Sequence, residues 1–250
     1  MPDKISCREG VYGGWKTAIE QLPKAGIHYI ELGDYPREEL IPIAAACRAK
    51  GVTPLTIAGG VDTDNPASVE RIKSECSAAR DAGIQFYFVS ANGKDRPAAM
   101  KTLATLGVHA ATNGVTLCLE THPPFCLNAA EMLKTIAEAN SRAVKINFDT
   151  ANIMYYNEGI NSADELDKIV SNVASVHLKD TDGGFHSLNF PVLGKGVVDF
   201  PRVFKTLHKA GFTGPLTLEL EGPLVDKLDT AGRHQAVVDC MKYLAKHARL

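Results

Sequence analysis

Short apolar runs alternate with longer segments of helical period from one end of the chain to the other. The runs are KISCRE (4–9), HYIELG (28–33), TPLTIAG (53–59), QFYFVSA (85–91), VTLCLE (115–120), VKINFD (144–149), VASVHLK (173–179) and PLTLELE (215–221). Each is rich in Val, Ile, Leu, Thr or aromatic residues and has the length of a buried strand. The intervening segments carry helix stops. PKAG, RAKG, RDAG, TNG and HKAG place Gly26, Gly51, Gly83, Gly114 and Gly211 just past a last helical turn, where the backbone enters the left-handed region that glycine tolerates. Helix starts are marked by Asn65 before Pro66, by Asn128, by Ser162 and by Asp199, side chains that accept from otherwise unpaired first-turn N–H groups. Eight strand–helix units, with strands beginning roughly every 30 residues, predict an α/β protein folded as a single (β/α)8 TIM barrel spanning residues 1–250. The alternative, an open doubly wound sheet, lacks its G-x-G-x-x-G after the first strand, since REGVYGGW does not fit.

Four of these apolar runs close on polar residues: Glu120, Asp149, His177 and Glu219, spaced 29, 28 and 42 residues apart. The first two spacings are one βα repeat each; the third adds the insertion DTDGGFHSLNFPVLGKG. Active sites of such barrels lie at the C-terminal rim of the strands, and neighbouring strands are ~5 Å apart. Three carboxylates and an imidazole therefore converge on one side of the rim. Alone, a strand-end glutamate reads as a solvated rim residue and a strand histidine as a hydrogen-bonded core residue; four in register read as a metal site. Packed carboxylates repel and raise one another's pKa, and a divalent cation removes that cost. Oxygen ligands with one imidazole suit Mn2+ foremost, then Mg2+ or Co2+, with Zn2+ admissible.

Bulk properties narrow the class. An apolar fraction of 45% and a charged fraction of 22% are those of an ordinary globular chain. A net charge of −2 gives no basic surface for nucleic acid or a membrane. The six scattered cysteines contain no C-x-x-C pair and read as reduced thiols. No signal-like N-terminus and no run of about 18 apolar residues is present, so the expectation is a cytoplasmic protein.

LETH (119–122), FDTAN (148–152), HLKD (177–180), PVLGKGVVDF (191–200) and GPLTLELEG (214–222) resemble the xylose-isomerase-like barrel superfamily. More narrowly they resemble its sugar phosphate isomerase/epimerase branch, which includes ketose 3-epimerases, hydroxypyruvate isomerase and inosose dehydratase. The resemblance implies that Glu120, Asp149, His177 and Glu219 hold one divalent metal. It also implies that Glu120 and Glu219 carry protons on opposite faces of a small carbohydrate, a keto-sugar or related polyol ketone. A metal gripping adjacent carbonyl and hydroxyl oxygens stabilises an enediolate, and a carboxylate can take the proton beside the carbonyl. Proton return then gives an epimerase or isomerase; loss of a hydroxyl gives a lyase or dehydratase, and the motifs do not choose. One departure stands out. The resemblance predicts an arginine several residues past the histidine, yet LKDTDGGFHSLN has none, leaving Lys179, His186 or Lys195 to substitute. The ends of the second and third strands, IELGD and TIAGG, lack the histidines of the DNA-repair relatives, so no nucleic-acid partner is expected.

Further substrate-binding candidates follow from position. Glu31 ends the second strand and could bond a hydroxyl or orient the rim. His122 lies two past Glu120 on the same face, and Asn152 three past Asp149. Lys179 shares the face of His177 and could neutralise substrate oxygen or pair with Asp180. His186 sits in the insertion. Glu221 suits hydrogen bonding more than metal, and Gly194-Lys195-Gly196 reads as a turn rather than a phosphate loop. Without long rim insertions, contacts between copies in a homo-oligomer could complete the pocket.

Overall fold

The computed structural model describes residues 1–250. Eight parallel strands, β1 (Lys4–Arg8), β2 (Tyr29–Leu32), β3 (Thr53–Asp62), β4 (Phe86–Asn92), β5 (Thr116–Glu120), β6 (Val144–Asp149), β7 (Val173–Leu178) and β8 (Pro215–Leu218), pair in sequence order. The ring closes where Lys4–Cys7 of β1 runs beside Pro215–Leu218 of β8. Outside it lie α1 (Trp15–Gln21), α2 (Arg37–Ala49), α3 (Pro66–Asp81), α4 (Arg96–Thr112), α5 (Ala129–Ala139), α7 (Ser162–Ile169), α8 (Phe200–Lys209) and α10 (Thr230–Leu244), with the one-turn helices α6 (Asn152–Tyr155) and α9 (Pro223–Asp226) at the rim. This is the (β/α)8 barrel that the alternation predicts. No helix is long and apolar enough to cross a membrane, and all six cysteines are buried and unpaired.

The punctuation behaves as its chemistry requires. Gly26, Gly51, Gly83, Gly114 and Gly211 all take positive φ, between 67° and 75°. Asn65, Asn128 and Asp199 accept from first-turn N–H groups of α3, α5 and α8. One cap is displaced. Ser162 is the first helical residue of α7, and Asn161 caps it instead, accepting from Ala163 and Asp164. Asn161 is the better placed of two adjacent capping residues because its amide oxygen reaches both N–H groups. β8 also stops at Leu218, short of the expected 221, so Glu219 and Glu221 lie on the chain leaving the ladder.

Two register shifts bear on the site. β3 carries an extra residue opposite Ile30/Glu31 of β2, and β7 carries one opposite Ile146/Asn147 of β6. Bulges turn the following side chains relative to the sheet. Glu31 follows the first shift; Asp149 and His177, direct partners across the β6–β7 ladder, follow the second.

Candidate metal centre

Because successive side chains of a strand alternate faces, residues two apart share one side. Asn147 and Asp149 on β6, and Ser175 and His177 on β7, form two such pairs, and Ser175 Oγ donates to Asn147 Oδ1 at 2.6 Å beneath the upper pair. Glu120, Asp149, His177 and Glu219 each offer one ligand atom, and these four atoms lie within 4.8 Å of one another. Asp149, His177 and Glu219 are buried; Glu120 is half-buried. β5 and β8 stand three places apart around the ring, so the two glutamates reach the cluster from well-separated directions.

Each ligand is held by a neighbour. His177 Nε2 lies 3.2 Å from Glu31 Oε2, which leaves Nδ1 facing the cluster, 3.2 Å from Glu219 Oε2. A carboxylate behind a histidine fixes its tautomer and ring orientation in metal sites. Asp149 Oδ1 accepts from the N–H groups of Ala151 and Asn152 at 2.8 and 2.9 Å, leaving Oδ2 for the cluster. Glu120 accepts from Ser90 Oγ and, at 3.2 Å, from Asn152 Nδ2. Glu219 accepts from the Arg8 guanidinium, whose Nε is 3.2 Å from Glu31 Oε1. Lys179 Nζ lies 2.9 Å from Asp149 Oδ2, 2.8 Å from Glu219 Oε2 and 2.7 Å from Glu221 Oε1.

The electrostatics are those of packed buried charge. Burial pushes the Glu120 carboxyl up, and Glu219 adds to the shift. Burial also raises Asp149, to about 7, Lys179 counteracting part of it. For Glu219 burial is outweighed by His177, Lys179 and Arg8, which hold it well below the carboxylate range. For His177 burial opposes protonation, and Glu219 and Glu31 overcome it and hold the imidazole well above its usual value. A divalent cation fits this donor set. Asp149 Oδ2 and His177 Nδ1 are buried without a hydrogen-bond partner. The cations near Asp149 Oδ2 and Glu219 supply charge but leave these two ligand atoms unbonded. Oxygen donors with one oriented imidazole match Mn2+, Mg2+, Co2+ or Zn2+.

A cavity of about 500 Å3 opens above the cluster, within the range of small-molecule sites. Glu120 and Glu219 line it; Asp149 and His177 lie beneath. Of the substrate-binding candidates, His122 and Asn152 line the cavity. Glu31 lies under its floor as the partner of His177 and Arg8. Lys179 is 1% exposed and occupied by three carboxylates. His186 is exposed and stacks on Tyr155, with ring centroids 5.0 Å apart. Three residues at the site escape the strand-end reading: Arg8 ends β1, Ser90 lies on β4 and Asp34 follows β2. Arg8 brings a guanidinium to the cavity from the first strand, paired there with Glu31 and Glu219.

Residues 19–247 match the family described as xylose isomerase-like TIM barrel. The chain belongs to this family. Its curated relatives include L-ribulose-5-phosphate 3-epimerase UlaE of Escherichia coli (strain SMS-3-5 / SECEC), 23% identical over 236 residues, 82% of each chain. The same-named protein of E. coli K12 is 29% identical over 140 residues, 56% of this chain and about half (48%) of that relative. Among solved structures, the IolI protein with a bound zinc atom superposes with TM-score 0.81 at 18% identity, covering 99% of this chain and 100% of that one. D-psicose 3-epimerase with D-tagatose, from Clostridium cellulolyticum H10, gives 0.80 at 13% identity over 99% and 100%. At these identities the structural likeness carries the fold. Family membership and relatives named as epimerases mark the chain as an enzyme.

Proposed function

We propose that the protein is a divalent-metal-dependent isomerase or epimerase of a small keto-sugar or related polyol ketone. One observation carries the reading: of the four clustered side chains, the two glutamates face the cavity while Asp149 and His177 lie below it. Glu120, Asp149, His177 Nδ1 and Glu219 would hold the cation. When bound it would polarise a ketone and stabilise the negative charge that develops beside it. The chain's own groups do the rest. Glu120, held by Ser90 and Asn152, and Glu219, held by Arg8, share the proton work. The ionised one takes the proton from the carbon next to the ketone, the protonated one returns one from its separate direction, and inversion follows because the two carboxylates stand apart around the ring. The epimerase names of the curated relatives support the same chemistry.

The test is turnover of free and phosphorylated keto-sugars with Mn2+ in deuterated buffer. Incorporation of one solvent deuteron into an isomer otherwise unchanged in composition is expected, abolished by chelator. Glu120→Gln and Glu219→Gln should each lower kcat by about 10²–10⁴-fold, the scale of positioned acid–base catalysis, with the fold intact by circular dichroism. Loss of water from the product would move the protein to the lyases; full rates in both variants would remove the two-carboxylate mechanism.

A further inference from the structure

The charge around the cavity is lopsided. Its lining carries the carboxyl groups of Asp34, Glu120, Glu219 and Glu221 against one cation, Arg8. The floor adds Glu31 and Asp149 against Lys179. A bound divalent ion leaves this balance negative. Outside the four ligands each cation keeps a carboxylate partner that an anionic substrate would have to displace: Arg8 pairs with Glu31 and Lys179 with Glu221. Arg71, paired with the lining residue Asp34, is also engaged by Glu75 and the Gly60 carbonyl.

Two groups of backbone N–H donors at the rim are filled as well. Many barrels of this class bind phosphate through the loops after strands seven and eight, where successive N–H groups form a concave nest. Here the loop after β7 contains such a nest, and the chain's own Asp180 occupies it. Oδ2 accepts from Gly194 and Gly196 at 2.8 and 2.9 Å, and Oδ1 from Thr181 and Val198 at 2.9 and 3.1 Å. A β-carbon at Gly196 would run into the Thr181 carbonyl and this carboxylate, so the turn is shaped around Asp180. The chain leaving β8 presents Glu221 to the cavity. The first N–H groups at α6 are taken by Asp149 Oδ1. The rest of the wall holds the polar side chains of Ser90, His122 and Asn152 and four aromatic rings, Phe88, Tyr155, Tyr156 and Phe190, whose negative faces accept the C–H side of a sugar.

We infer that the substrate is an uncharged, non-phosphorylated ketose, bound with its hydroxyls toward the acidic side and its C–H face toward Tyr155 and Tyr156, and that sugar phosphates are excluded by charge. This rests on the keto-sugar reading above and departs from the phosphorylated substrate that the curated relatives' name prints. The experiment pairs each ketose with its terminal phosphate, L-ribulose with L-ribulose 5-phosphate and D-psicose with D-psicose 6-phosphate, using the Mn2+-loaded protein. It reads kcat/KM, and separately the binding of ribitol against ribitol 5-phosphate, which lack the ketone and cannot turn over. The free sugars should be preferred by about 100-fold in kcat/KM, the scale of a like-charge clash in an enclosed site, and ribitol should bind where its phosphate does not. The double variant Asp34→Asn/Glu221→Gln should narrow the gap about tenfold. Equal or better turnover of the phosphates overturns the inference while leaving the isomerase reading intact. Selective binding of ribitol without turnover of any ketose upholds the inference and sinks the isomerase reading. Binding of ribitol 5-phosphate as tight as that of ribitol, or of neither, overturns the inference.

Discussion

Lys179 is paired with three carboxylates, and replacing it with methionine measures how far it serves as their counter-ion. The side chain is 1% exposed, and its ammonium lies 2.7–2.9 Å from carboxylates of Asp149, Glu219 and Glu221. At an effective dielectric constant of about 20, each such contact attracts by about 6 kcal/mol. Burying the ammonium takes back several kcal/mol, and removing one member of a buried charge set typically costs about 3–5 kcal/mol. Methionine keeps the aliphatic stem and removes the charge, so that range is the expectation for Lys179→Met in EDTA. For a chain of this size it corresponds to a fall in Tm of about 6–20 °C. Saturating Mn2+ should shrink the deficit, because Asp149 and Glu219 then have a second source of positive charge. Thermal and urea unfolding of wild type and variant, each with EDTA and with Mn2+, decide the matter. A variant within about 1 kcal/mol of wild type in EDTA would show that Lys179 is not the counter-ion. Equal deficits in EDTA and Mn2+ would show that the carboxylates it neutralises are not those that hold the cation.

Three further outcomes follow. Glu31→Gln weakens the acceptor behind His177 Nε2 and should loosen Mn2+ by about 10–100-fold in a calorimetric titration; unchanged affinity would remove Glu31 as the orienting group. Asp180→Ala strips the acceptor from four N–H groups and should cost about 3 kcal/mol or more, read from the urea midpoint; a loss under about 1 kcal/mol would mean the turn holds itself. Burial and the Asp34 carboxylate push the Glu75 carboxyl up to about 7, against hydrogen bonds from Tyr87 and Arg71. With the folded-state value raised, the folded protein binds the proton more tightly, so this group's contribution falls as pH rises from the unfolded value of about 4.5 through 7. Wild type should lose about 2 kcal/mol relative to Glu75→Gln between pH 5 and pH 8 after allowance for screening, and parallel stability–pH curves would refute it.

The barrel is legible in the chain because both its signals are local. Buried parallel strands need short, nearly continuous apolar runs, and helix ends need a left-handed residue, so Gly51 and Gly83 mark their stops unaided. The clustered ligands are legible for a related reason: a charged group ending a buried strand has few places to go, and Glu120, Asp149, His177 and Glu219 share one. What escaped did so for identifiable reasons. Arg8 and Ser90 also end or nearly end strands, and the rule applied to the later four would have found them on the earlier ones. Asp34 lies in a loop, where no alternation points inward. Asp180 looks like a partner for its neighbour Lys179, yet successive side chains leave a strand on opposite sides; Lys179 turns to the cluster and Asp180 to the turn at Gly194–Val198.

The seam of the ring joins its first strand to its last, since β1 runs beside β8. A nascent polypeptide emerging from the ribosome therefore carries Arg8 before the other seven strands and Glu219 only after all eight. Until the last strand docks, the arginine lacks that carboxylate and the cation trap is one ligand short. Truncation before Pro215 leaves a chain without its closing strand and without Glu219, so such an aborted translation product should neither take up Mn2+ nor turn over a ketose.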